Sequence, residues 1–160
     1  MSGIVSHSTP AKFSGFGGMS ATSSKKNCKK IIAPDDYVLR RVIEITEALY
    51  ARYGVNSRMT YAVAVADDSL GCSHKLISSS EGRQKVRPDV RMLAPVRSDE
   101  IVVPGPGTVE YDQGHAEYNI VSIVMSEGWK LRSIGATRPI CGSCLRAIHS
   151  QNVKPITLIK

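Results

Sequence analysis

Six successive residues, Tyr61-Ala-Val-Ala-Val-Ala66, are apolar and rich in β-formers. A strand with one wet face alternates apolar and polar side chains. This run does not alternate, so it reads as a strand buried inside a sheet. Asp67-Asp68-Ser69 supplies a turn after it. His74 to Ser79 is then expected to return as the hairpin partner.

Helical signals surround this hairpin. Pro34-Asp35-Asp36 places carboxylates beside the positive end of a helix dipole. Val38, Val42, Ile45 and Leu49 recur at helical spacing through about Tyr53, and Gly54 ends the pattern. His115 to Glu127 reads as a second helix, with Ile120, Ile123 and Val124 on its apolar face and Gly128 as its cap. Lys130 to Thr137 is a strand candidate. Cys141 to Ser150 is a short helix with Leu145 and Ile148 facing inward, and Pro155 to Ile159 is a last strand. The predicted order is helix, hairpin, helix, strand, helix, strand. Its alternation suggests a three-layer α/β arrangement with helices on a mixed sheet.

A chain of 160 residues suits one domain, which can bury roughly 70% of its unfolded surface without disulfide staples. Residues 1–33 are expected to form a flexible basic, Gly/Ser-rich tail, and residues 34–160 the domain. No apolar run approaches the ~18–20 residues that span a bilayer, and no signal-peptide pattern opens the chain, so no membrane partner is expected. Lys and Arg total 21 against 14 Asp and Glu, a net charge of +7 that favours an acidic partner such as nucleic acid. Arg83, Lys85, Arg87 and Arg91 fall at period two within the least regular segment, residues 81–114. They form either a solvated edge or a phosphate-tracking strip.

The four cysteines are Cys28, Cys72, Cys141 and Cys144. Their low density favours reduced thiols, with a metal or redox role for the C-x-x-C pair. Cys141 and Cys144 are three apart and share a helical face at a helix N-terminus, where thiolates are favoured. With His115 they supply three zinc ligands, the count of a catalytic site with an open position. Glu117 is then free to move protons. On a regular helix His115 and Glu117 would diverge by about 200°, so they share a site only if the loop and first turn aim both at one point. In a rival arrangement Cys72 and His74 join the pair in a closed structural knot, with His149 a further ligand candidate. A thioredoxin-like redox pair is a third reading, although such pairs come early in the fold.

His115-x-Glu117 followed by Cys141-x-x-Cys144 resembles the signature of the zinc nucleoside and nucleobase deaminases. The wider strings Gly114-His-Ala-Glu-Tyr-Asn119 and Ile134-Gly-Ala-Thr-Arg-Pro-Ile-Cys-Gly-Ser-Cys144 are similar to deaminase domains at the C-termini of bacterial polymorphic toxins. The resemblance covers roughly residues 35–160 and implies a three-layer α/β/α cytidine deaminase-like fold with a mixed sheet. It implies that His115, Cys141 and Cys144 bind Zn2+ and that Glu117 is the general acid/base. The family places proline directly before the first cysteine, whereas Ile140 intervenes here after Pro139.

The implied activity is hydrolytic conversion of cytosine to uracil in DNA, with RNA and adenine as weaker options. Tyr111 and Tyr118 flank the His-Ala-Glu motif and are candidates for stacking on a base. Segment 81–114 holds no Phe or Trp to wedge open a duplex, so single-stranded DNA is expected over double-stranded. The resemblance further implies a mutagenic toxin effector delivered to a target-cell cytoplasm, with a cognate immunity protein. The reading from another class is a non-enzymatic basic nucleic-acid-binding domain with a structural zinc.

Overall fold

The computed structural model describes residues 28–54, 59–80, 96–104 and 114–157. Among them the chain forms helix α1 (Pro34–Tyr53), strands β1 (Tyr61–Asp67), β2 (Ser73–Ser79) and β3 (Glu100–Val102), helix α2 (Ala116–Ser126), strand β4 (Lys130–Ala136), helix α3 (Gly142–Ser150) and strand β5 (Ile156–Thr157). The protein is therefore α/β. Its helices stop where the sequence indicates. Gly54 and Gly128 take φ of 66° and 65°, a left-handed conformation that glycine reaches without a Cβ clash. After α2 the N–H groups of Gly128 and Trp129 donate back to Met125 and Val124, satisfying carbonyls that the helix leaves open.

The five strands form one sheet in the order β3-β2-β1-β4-β5. β1 pairs antiparallel with β2, setting Val63 opposite Ile77, and with β4, setting Val63 opposite Gly135. β3 runs parallel to β2, and β5 runs parallel to β4. The sheet is mixed, and its central strand opposes the other four. Central placement explains the apolar run: all seven residues of β1 are buried.

Strand alternation separates two clusters. Tyr61, Val63, Val65 and Ile77 pack with Val38, Val42, Ile45 and Leu49 of α1. Ala62, Ala64, Ala66 and Leu76 pack with Ile120, Ile123 and Val124 of α2 and Ile148 of α3. The alanine methyls leave room for the larger isoleucines opposite them. Each fully buried aliphatic side chain contributes about 1.5–3 kcal/mol relative to exposure. The short helix buries Cys144 and Ile148, while Leu145 is only half-buried.

Strand β3 departs from the predicted order, which left its segment irregular. It is held by a buried cluster around Glu100. Arg41 donates to Glu100 through Nε at 2.6 Å and Nη2 at 3.0 Å. Tyr37 Oη and the Arg97 backbone N–H donate to the same carboxylate at 2.7 and 2.8 Å.

The expectation of reduced thiols fails for Cys28 and Cys72. They form a disulfide with Cα atoms 5.2 Å apart. The chain reaches this geometry because Lys29 O accepts from Ser73 N–H and Ile31 N–H donates to Ser73 Oγ, which lays residues 28–31 beside the start of β2. Cys141 and Cys144 are free thiols. No described helix is long and apolar enough to cross a membrane.

Candidate metal centre

Two helix N-termini meet at one end of the sheet. β4 ends at Ala136, paired with Ala62 near the start of β1. The following loop is anchored there, because Thr137 N–H donates to Tyr61 O and Tyr61 N–H donates to Thr137 Oγ1. The chain then reaches Cys141, the N-cap of α3, with φ −71° and ψ 161°. His115 is the N-cap of α2, with φ −78° and ψ 134°. Both residues have extended backbones, so their side chains project from the helix ends and do not follow helical spacing. This resolves the difficulty of His115 and Glu117: only Glu117 lies inside the helix, in its first turn.

The ligand atoms of His115, Cys141 and Cys144 all lie within 4.8 Å of one another. His115 Nδ1 is 3.2 Å from Cys141 Sγ and 3.3 Å from Cys144 Sγ. A tetrahedral zinc with ordinary Zn–N and Zn–S bonds sets such atoms about 3.6 Å apart. The two nitrogen–sulfur distances match that value to within a few tenths of an ångström, and the set of one imidazole nitrogen and two sulfurs could hold a metal.

Burial differentiates the two thiols. Desolvation raises the pKa of Cys141, but hydrogen bonding with Ser143 Oγ, the Cys144 N–H and thiol, and His115 outweighs it and brings the thiol down to about 7. Burial pushes the Cys144 thiol up, followed by its interactions with Cys141 and Glu117. Ser143 Oγ lies 3.2 Å from Cys141 Sγ, a contact that the expected ligand set did not include. Its signal is available in the Cys-Gly-Ser-Cys string at a helix start.

Glu117 is 3% exposed. Burial pushes its carboxyl pKa up, opposed by its own backbone N–H and by the charge of His115. It lies two residues after His115, in the first turn of the helix that His115 caps. Two residues on, Asn119 Nδ2 donates to Ser78 Oγ at 3.2 Å, and that hydroxyl donates to Val103 O at 2.8 Å. This polar chain across α2, β2 and the end of β3 is not legible from spacing either.

The closed four-ligand knot is overturned by topology. Cys72 is in the disulfide, and His74 pairs with Ala66, at the other end of β1 from Ala62. There His74 Nε2 lies 2.9 Å from Asp68 Oδ2, and its ring stacks on Trp129 at 4.5 Å. Trp129 is thus a packing residue at the far end of α2. His149 is exposed on α3 and outside the cluster. Tyr118 is half-buried on α2. Arg83, Lys85, Arg87, Arg91 and Tyr111 lie outside the described residues. No family model, curated protein or solved structure matches the chain at a significant level.

Proposed function

We propose that this protein is a zinc-dependent hydrolytic deaminase that converts cytosine to uracil in DNA, with single strands preferred. The observation that carries the reading is the convergence of His115, Cys141 and Cys144, with the buried Glu117 in the first turn of the helix that His115 caps. Three protein ligands leave one tetrahedral position open, and a closed structural site would require a fourth. The described residues offer no fourth His, Cys, Asp or Glu within the cluster. The two helix layers packed on a mixed sheet are compatible with the three-layer deaminase-like fold that the motifs imply.

In this reading His115 Nδ1 and the sulfurs of Cys141 and Cys144 hold the zinc. When bound, the ion supplies Lewis acidity that brings water ionisation near pH 7. Glu117 does the proton work. A carboxylate oxygen of Glu117 accepts a proton from water and delivers it to the ring nitrogen next to the reacting carbon. As the oxygen of that water bonds to the carbon, Glu117 takes the remaining hydroxyl proton and delivers it to the departing amino group. The carbon–nitrogen bond breaks, a carbonyl replaces it and ammonia leaves. A carboxyl whose pKa is raised by burial is suited to both halves of that transfer. Delivery as a mutagenic effector, acting in a target-cell cytoplasm and restrained by an immunity protein, rests on the motif resemblance alone.

The test is incubation of the zinc-loaded chain with cytosine- and adenine-containing oligonucleotides, as single-stranded DNA, duplex DNA and RNA. Mass spectrometry reads the gain of ~1 Da per deamination. The expected result is a product from cytosine in single-stranded DNA. Matched duplex should be slower by about tenfold, since ~1.4 kcal/mol of flipping cost left uncompensated has that effect. Equal rates on both would remove the strand preference. Binding without any mass change would favour the non-enzymatic nucleic-acid-binding reading.

A further inference from the structure

The positive charge of this chain is unevenly placed. Residues 128–160 contain six Lys and Arg and no Asp or Glu. Arg132 is used internally, paired with Asp67 at 2.5 Å. Arg138, Arg146, His149 and Lys154 are all exposed. Arg138 stands in the loop that delivers Cys141. Arg146 folds back over the first turn of α3, since a Cβ added at Gly142 would lie 3.6 Å from its Nη1. Arg146 and His149 are three apart and therefore neighbours on the outer face of the helix, while Cys144 and Ile148 face inward. Lys154 follows just beyond the C-terminus of α3. The opposite side of the sheet differs: α1 exposes Asp35, Asp36, Glu44 and Glu47 as well as Arg40 and Arg52.

We propose that the outer face of α3 and the loop before it bind the phosphate backbone of a single-stranded polynucleotide as it passes the metal centre. The track begins beside Cys141 and runs from Arg138 to Arg146, His149 and Lys154. Residues 128–157 contribute no carboxylate to it, so this stretch of chain offers a phosphodiester no like charge. A neighbouring-turn spacing of about 5–6 Å is close to the repeat of an extended strand. The proposal rests on the deaminase reading for the strand's presence at this end of the sheet, but its test needs no turnover.

The experiment measures binding of a fluorescent single-stranded DNA by anisotropy across a salt series, with Glu117→Ala as the inactive background. Arg146→Glu/Lys154→Glu is compared with Arg40→Glu/Arg52→Glu, which changes net charge equally on α1. Each phosphate that the protein no longer neutralises lowers the log–log salt slope by about 0.7. The α3 pair should lower the slope by about 1.4 and weaken binding about tenfold or more, with zinc content unchanged. The α1 pair should leave the slope in place. Arg146→Gln/Lys154→Gln should show the same weakening in smaller measure, which guards against a folding defect. An unchanged slope in the α3 variants, or equal weakening in the α1 variants, overturns the proposal. Competition by polyglutamate as effective as that by DNA of equal charge would overturn it too, assigning the face to an acidic protein partner. If wild-type protein forms no uracil while the α3 pair still binds more weakly, the deaminase reading fails and the track stands.

Discussion

Among single residues, the side chains that would hold the metal are distinguished from their neighbours by position alone. His115→Ala, Cys141→Ala and Cys144→Ala should each lose zinc, because each removes one of three mutually adjacent donors. Cys72→Ala and His74→Ala should retain it, as both lie at the other end of the sheet. Elemental analysis after gel filtration decides between these outcomes, and zinc loss in either of the latter variants would revive the closed knot. Glu100 gives a separate prediction. Desolvation raises its pKa, but donation from Arg41, the Arg97 N–H and Tyr37 outweighs this and holds it below the usual carboxylate range. A folded pKa below the unfolded value contributes stability that is full above about pH 4.3 and is lost as pH falls through the folded value. Glu100→Gln should destabilise by about 1–3 kcal/mol at neutral pH, because it removes the buried partner of Arg41 and leaves the half-exposed Glu44 carboxylate 3.3 Å from the guanidinium. It should also flatten the acid limb of a stability-versus-pH curve measured by urea unfolding.

Between elements, the packing of α1 on β4 depends on one missing side chain. A Cβ at Gly135 would lie 3.0 Å from Val38 Cγ1, 3.1 Å from Ile156 O and 3.3 Å from Val42 Cγ2. Gly135→Ala should therefore destabilise by about 1–3 kcal/mol through overpacking, read as a lower urea midpoint with unchanged slope. Helices α1 and α2 are legible in the sequence because their apolar periods are bounded by Pro34, Gly54 and Gly128, residues whose backbone chemistry marks an end. β1 is legible because a central strand needs no polar face. β3 is not, since three residues headed by a glutamate carry no period, and its anchoring depends on Arg41, 59 positions away. His115, Cys141 and Cys144 are legible as metal-ligating residue types in the His-x-Glu and Cys-x-x-Cys strings. Their convergence with Glu117 is not legible from periodicity, because it depends on two extended N-caps.

Across the whole molecule, the Cys28–Cys72 bridge joins positions 44 apart that no spacing rule connects. Constraining a loop of that length is worth up to about 4 kcal/mol in the chain-entropy picture. Cys28→Ser/Cys72→Ser should therefore cost about 2–4 kcal/mol of stability, and reductant should lower the wild type to the same level while leaving the double variant unaffected. A reductant effect on the double variant would place the sensitivity elsewhere. The bridge sits at the end of the sheet remote from the metal centre, so zinc content should not follow its redox state. At the opposite, convergent end, the proposed chemistry is proton-assisted hydrolysis of cytosine on a bound zinc. It is tested by comparing wild type with Glu117→Gln on the same cytosine-containing single-stranded DNA, reading product mass and bound zinc in parallel. A gain of ~1 Da per converted cytosine is expected from the wild type alone, with stoichiometric zinc in both proteins. Near-normal turnover by Glu117→Gln, or no conversion by zinc-loaded wild type, would refute that chemistry.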